Sequence, residues 1–133
     1  MPISDIPIFS MLRTKMQWHQ ERQRLLSENV ANADTPKFSP RDLAPLDLDP
    51  TRQQVAGVTL AHTSAAHIAA ADGGASSKFH LDRRTGFEAR PSGNAVSLED
   101  EMLKVAANAM DYQAATALYT RGLGLIKSAL GKG

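Results

Sequence analysis

The sequence contains no cysteine, which excludes a disulfide framework and thiolate zinc ligands and leaves the redox compartment open. Aromatic residues are scarce, at 5% of 133 positions, whereas twenty positions are alanine, so the 42% hydrophobic fraction is built from small side chains. A chain of this length is one small domain with a thin core. Charge of one sign is also missing: the net charge is +1 with 22% charged residues, too little to hold nucleic acid or an anionic membrane across the whole surface. No stretch approaches the roughly 18 apolar residues of a spanning helix. The opening "MPISDIPIFSMLRTKM" carries Asp5 and lacks both a basic leader and an unbroken apolar run, so it does not read as a cleaved secretion signal.

Catalytic patterns are equally sparse. There is no phosphate loop, no dinucleotide glycine fingerprint and no H-E-x-x-H among His19, His62, His67 and His80. His62 and His67 with Asp72 are the nearest approach to a metal set, and they read as solvated residues. Ser97 reads as a helix cap and not a nucleophile, and Glu99, Asp100 and Glu101 as acids that complement the positive end of a helix. The expectation is no catalytic, cofactor-binding or metal residue and no enzyme. Arg13, Lys15, Arg22 and Arg24 surround Trp18 and keep one alternative open, a soluble helical-hairpin adaptor or nucleic-acid-binding module.

What the sequence does have is helical periodicity. Phe9, Leu12, Met16, His19, Gln23, Leu26 and Val30 recur at alternating steps of three and four, the pattern of a coiled-coil seam. A second line, Met11, Trp18 and Leu25, runs on another face, so one partner would not cover both. Near the C-terminus, Leu98, Met102, Val105, Ala109, Tyr112, Thr116, Tyr119, Leu123, Ile126 and Leu130 repeat the pattern. Ser97 with Asp100 resembles a capping box at its start, and Lys127, Gly131 and Lys132 mark its end. Gly122 and Gly124 predict either a kink or a close approach of another backbone. Residues 37–96, with Pro40, Pro45, Pro50, Pro91 and "DGGASS", predict an irregular insert with one or two short strands, Val58 to His62 and Lys78 to Leu81 being the candidates. The chain therefore divides into 1–36, a helix and its stop; 37–96, the insert; and 97–133, a second helix. The expected fold is mainly α, two long terminal helices packed as an antiparallel coiled-coil hairpin.

The first helix stops abruptly in "LSENVANADTPKF". Asn32 and Asp34 tolerate the left-handed backbone of a helix end, and their side chains can bond nearby backbone groups. Pro36 pushes Thr35 out of helical geometry.

The segment Asn29, Ala31, Asn32, Asp34, Thr35, Pro36 and Phe38, followed by "PRDL", resembles the N-terminal signature of the bacterial flagellar axial proteins, an Asn-x-Ala-Asn-x-Asp-Thr-Pro-Gly-Tyr motif. "SGNAVSLEDEMLKVAANAMDYQAAT" resembles the matching C-terminal end, with a Gly-Asn entry, a Glu-Met pair, an asparagine and Tyr-Gln. With the short length and "HTSAAHI", the resemblance is closest to proximal-rod members of that family. Lys37 departs from the usual glycine, which puts a positive φ there in question.

The resemblance implies a structural subunit of the flagellar basal-body proximal rod, self-assembling into a helical drive shaft that transmits torque. It implies as partners other copies, the rod proteins FlgC and FlgF, the adaptor FliE and the membrane ring protein FliF, with export through the flagellar type III apparatus into the periplasm and no direct membrane insertion. Phe9, Leu12, Met16, Trp18, Leu26, Val30, Leu98, Met102, Val105, Ala109, Tyr112, Tyr119, Leu123 and Ile126 are the expected helix-packing and assembly residues. The termini are expected to order fully only on assembly.

Overall fold

The structure, a computed structural model, describes residues 6–48, 79–82 and 89–131. Its elements in order are α1 (Pro7–Ala31), β1 (Asp42–Leu43), β2 (Leu81–Asp82) and α2 (Leu98–Ala129). The strand candidate Val58 to His62 and the group His62, His67 and Asp72 lie outside the described residues.

α1 begins where Pro7 occupies the first helical turn, a position whose N–H needs no helical partner. It runs for 25 residues, and α2 for 32. The two lie antiparallel: Phe9 meets Tyr119, His19 meets Asn108 and Asn29 meets Glu101. The expected hairpin is thus the observed one. α2 passes through Gly122 and Gly124 as one continuous helix. A Cβ on Gly122 would stand 3.0 and 3.1 Å from the Phe9 ring, so this glycine admits a side chain of α1 rather than bending the helix.

The α1 seam faces inward as its spacing requires, with Phe9, His19 and Leu26 buried and Leu12, Met16, Gln23 and Val30 half-buried. Two residues of the second line, Trp18 and Leu25, are covered by the chain itself, whereas Met11 stays 39% exposed. Trp18 and Leu25 form a small core with Leu43 of β1, bordered by Leu46 and Phe79, and Trp18 Nε1 donates to the Ala44 carbonyl at 3.1 Å. β1 and β2 pair antiparallel, Asp42 opposite Asp82 and Leu43 opposite Leu81. β2 meets the expected strand Lys78 to Leu81 only at Leu81, Lys78 lying outside the described residues, while β1 carries no period long enough to be read.

The β1 segment is fastened by Arg22, whose Nε and Nη2 each lie 2.8 Å from an Asp42 carboxylate oxygen, beneath a guanidinium 5.3 Å from the Trp18 ring centre. Burial alone would raise the Asp42 carboxyl, but the Arg22 bonds and charge, with the Leu43 N–H, outweigh it and hold it below the usual carboxylate range. A group with a depressed folded value contributes stability that is complete above its unfolded value of about 4 and is lost as pH falls through the folded one. Acidification below about pH 4 should therefore loosen the β1 segment, seen as a change in the fluorescence of the single tryptophan. Asp42→Asn should show that change already at neutral pH, with a stability loss on the order of 1 kcal/mol. A tryptophan signal in Asp42→Asn identical to wild type at pH 7 would overturn the assignment.

Candidate assembly site

The two sequence signatures meet each other where α1 ends and α2 begins. Asn29, 1% exposed, points its Nδ2 at both the Arg41 carbonyl and Glu101 Oε2, each at 2.7 Å. Its Oδ1 accepts the Arg41 N–H at 2.9 Å. Glu101, also 1% exposed, accepts from Lys104 Nζ at 2.7 Å through its other oxygen. Glu28 and Arg41 form an ion pair above this cluster. Asn94 donates to the Asn32 and Thr35 carbonyls at 3.0 and 2.7 Å and accepts the Val96 N–H. Every strong polar atom of these buried amides is thus matched, as a buried polar group requires.

Asn32 ends α1 through its side chain and not through a left-handed backbone: its φ is −103°. Its Nδ2 donates to the Glu28 carbonyl at 2.8 Å and its Oδ1 accepts from Thr35 Oγ1. The left-handed residue is Lys37, at φ 60°, the sole non-glycine with positive φ among the described residues. Its N–H donates to the Ser92 carbonyl at 3.2 Å, and the Ala95 N–H reaches the Phe38 carbonyl at 3.0 Å. Across from it Gly93 has φ 79°, and a Cβ there would lie 3.3 Å from Lys37 Cα. Lysine holds this geometry at a cost of about 1 kcal/mol or more. Lys37→Gly removes that cost but loosens the unfolded chain, so a net gain of about 0.5 kcal/mol is expected as a higher urea midpoint. A lower midpoint would show that the lysine stem contributes more than its backbone costs.

Lower in the hairpin, Asn108 Nδ2 donates to the His19 carbonyl and to Gln23 Oε1, both at 2.9 Å. Its Oδ1 is then left to accept, so His19 carries its proton on Nδ1, 2.7 Å away. His19 Nε2 is buried and has no hydrogen-bond partner among the described residues. A cleft of about 350 Å³ lined by His19, Gln20, Gln23, Asn108, Ala109, Tyr112 and Gln113 opens beside this pair, and Gln20 Nε2 bonds Tyr112 Oη at 3.1 Å. At the far end, Phe9 and Tyr119 pack edge to face at 5.4 Å between ring centres.

The inward face of α2 is therefore Glu101, Asn108 and Ala115, buried at seven-residue intervals, continued by Gly122. Of the expected α2 residues, Val105, Tyr112, Tyr119 and Ile126 are half-buried beside that line, as is Thr116, while Leu98, Met102, Ala109, Leu123 and Leu130 are exposed. Of the N-terminal signature, Asn29 is buried and Asn32 and Phe38 half-buried, whereas Ala31, Asp34, Thr35 and Pro36 are exposed. Ser97 makes no side-chain capping bond; it occupies the N-cap position with its carbonyl accepting the Glu101 N–H, so the capping box is not formed. Glu101 and Asn108 were within the quoted C-terminal signature, but only a search for polar residues at heptad spacing would have placed them on the seam.

The sides of α2 that do not face α1 carry large apolar residues that the described residues leave exposed. Leu103, Met110, Leu118 and Leu125 are 69%, 70%, 59% and 67% exposed. No helix among the described residues is long and apolar enough to cross a membrane, and no group of three or more His, Cys, Asp or Glu among them could hold a metal ion.

No family model matches the chain. Curated relatives do. A flagellar basal body rod protein FlgB of Aeromonas hydrophila is 30% identical over 136 residues, covering 99% of both chains. One from Agrobacterium fabrum is 32% identical over 104 residues, 74% of each chain, and one from Yersinia enterocolitica is 36% identical over 100 residues, 70% of this chain and 71% of its own. With identity of this level reaching from end to end, and with both signatures mated in one polar clasp, the chain belongs to the flagellar basal body rod protein FlgB family, whose members are structural components and not enzymes.

Proposed function

We propose that the chain is a structural subunit of the proximal rod, self-assembling with other rod proteins into the helical shaft that transmits torque. The observation that carries this is the uncovered face of α2: a helix apolar on nearly every side is stable in water only when further partners cover it. α1 spends Trp18 and Leu25 of its second line on the β1 segment, so the surface left for neighbours belongs mainly to α2, with Ile8 and Met11 exposed at the start of α1. In this reading 1–36 and 97–133 form the axial unit and 37–96 the insert that it carries outward. The adjoining subunits are further copies and FlgC, FlgF, FliE and FliF, reached in the periplasm after export by the type III apparatus without a cleaved signal.

The polar clasp suits such a role. Buried amides fix register and direction between helices better than interchangeable apolar contacts do, and a shaft needs a defined axial length in every subunit. The test is circular dichroism with sedimentation across a concentration series, alone and with FliE and FlgC. Particle size and helix content should rise together. A compact helical monomer, indifferent to concentration and to these partners, would sink the reading.

A further inference from the structure

Charge is divided along the hairpin in a way that the net value of +1 conceals. From residue 6 to residue 20 and from residue 112 to the end there is no aspartate or glutamate, whereas Arg13, Lys15, Arg121, Lys127 and Lys132 are basic. The packing of Phe9 on Tyr119 and Gly122 brings these two segments to the same end of the hairpin. Glu21, Glu28, Glu99, Asp100, Glu101 and Asp111 all lie in the other half, nearer the clasp. The acid-free end also exposes Ile8, Met11, Leu118, Leu123, Leu125 and Leu130. Along α2 the basic and apolar side chains alternate. Leu118, Arg121 and Leu125 follow at steps of three and four on one flank of the inward line through Ala115 and Gly122, and Leu123, Lys127 and Leu130 at steps of four and three on the other. Arg13, Lys15, Arg121 and Lys127 are themselves exposed.

We infer that this end of the hairpin docks on the surface of an anionic lipid bilayer. The interleaving suits an element that lies in the interface: leucines enter the boundary between headgroups and acyl chains, and the basic stems between them reach back to the lipid phosphates. A place on the bilayer and not across it agrees with the helices, none of which among the described residues is long and apolar enough to span. Charge complementarity selects the occupant. Basic residues on both flanks of α2 and at the start of α1, with no acid among them, match a surface that is negative over its whole extent, whereas one folded acidic partner would match one flank. The acids elsewhere do not cancel the attraction, because it decays within a Debye length of about 8 Å at physiological ionic strength. Asp111, the acid nearest Arg121 along α2, is ten residues away, about 15 Å, and Lys127 is farther still. The inference goes beyond the rod reading and does not depend on it, since a monomer adsorbs whether or not copies assemble.

Flotation with lipid vesicles tests this, using the full chain at a concentration at which it sediments as a monomer. Vesicles of phosphatidylcholine and phosphatidylglycerol in equal parts should carry the protein upward, and vesicles of phosphatidylcholine alone should leave most of it behind. Salt at about 1 M, where the Debye length falls to about 3 Å, should release it. Arg121→Gln combined with Lys127→Gln should weaken binding to the anionic vesicles about thirtyfold, and Leu118→Gln combined with Leu125→Gln at least about tenfold. All four side chains are exposed, so helical dichroism should be unchanged in both variants. Anionic vesicles that leave the monomer behind, neutral vesicles that float it equally well, or wild-type binding by either double variant would overturn the inference. If the vesicles fail while Arg121→Gln/Lys127→Gln abolishes association with FliE or FlgC, this end belongs to an acidic protein partner and not to lipid. The concentration series judges the rod reading separately, and neither result decides the other.

Discussion

Glu101→Ala is expected to lower the stability of the chain by about 3 kcal/mol, on the basis of about 1.5–3 kcal/mol for each hydrogen bond to a charged group. The carboxylate is buried in the first turn of α2 and accepts from Asn29 and Lys104. Truncation removes both bonds and the favourable placement of an anion at a helix N-terminus. The damage is limited in one respect. Lys104 is about one-third exposed and can turn to water, and Asn29 keeps the Arg41 carbonyl and N–H, so no orphaned charge is left inside. Glu101→Gln retains an acceptor for Asn29 and should lose only about half as much. Urea unfolding followed by helical circular dichroism measures both. A small domain has roughly 5–15 kcal/mol to lose, so the alanine variant should unfold at a visibly lower midpoint; a shift equivalent to less than 1 kcal/mol would mean that the clasp contributes little to holding the helices together.

That a glutamate and an asparagine hold the seam explains why α2 was harder to read than α1. In α1, Phe9, Leu26 and their neighbours are the apolar residues at seam spacing, and they are the ones turned inward. In α2 leucine, methionine and alanine recur on almost every side, so apolar periodicity selects a line through Leu98, Met102 and Leu123 that the structure leaves exposed. The inward line is polar at Glu101 and Asn108 and small at Ala115 and Gly122, and an apolar count is blind to both properties. Polar seam residues are chosen for register, and small ones because Phe9 needs room. The cover over Trp18 and Leu25 was unreadable for a different reason. β1 is two residues long, shorter than any alternation, and its place depends on the long-range Arg22–Asp42 pair. At the helix exit, Asn32 was legible as a stop but not as one that works through its side chain, and the left-handed position fell on Lys37, which propensity disfavours. Propensity lost there to the pairing with Ser92 and Gly93, a contact between segments more than fifty positions apart.

The same surplus of apolar residues on α2 supports the prediction with the largest effect on assembly. Leu103→Asp combined with Met110→Asp should abolish self-association while leaving the monomer intact. Both side chains are about 70% exposed, so neither contributes to the hairpin core, and substitutions at such sites shift stability by no more than about 0.5 kcal/mol. In an assembly each would be buried, a gain of about 1.5–3 kcal/mol per side chain, and the aspartates would add the cost of desolvating two charges. Losing about 3 kcal/mol or more per contact raises the concentration needed for assembly at least about a hundredfold. Sedimentation should then find monomers where wild type forms particles, with helical dichroism and the urea midpoint unchanged. Leu26→Asp is the contrasting control: that residue is 0% exposed, and its replacement should unfold the hairpin before any question of assembly arises. If the doubly substituted chain assembles at the wild-type concentration, the outward face of α2 is not an assembly surface. The apolar residues there would then need another explanation, since nothing in the hairpin requires them.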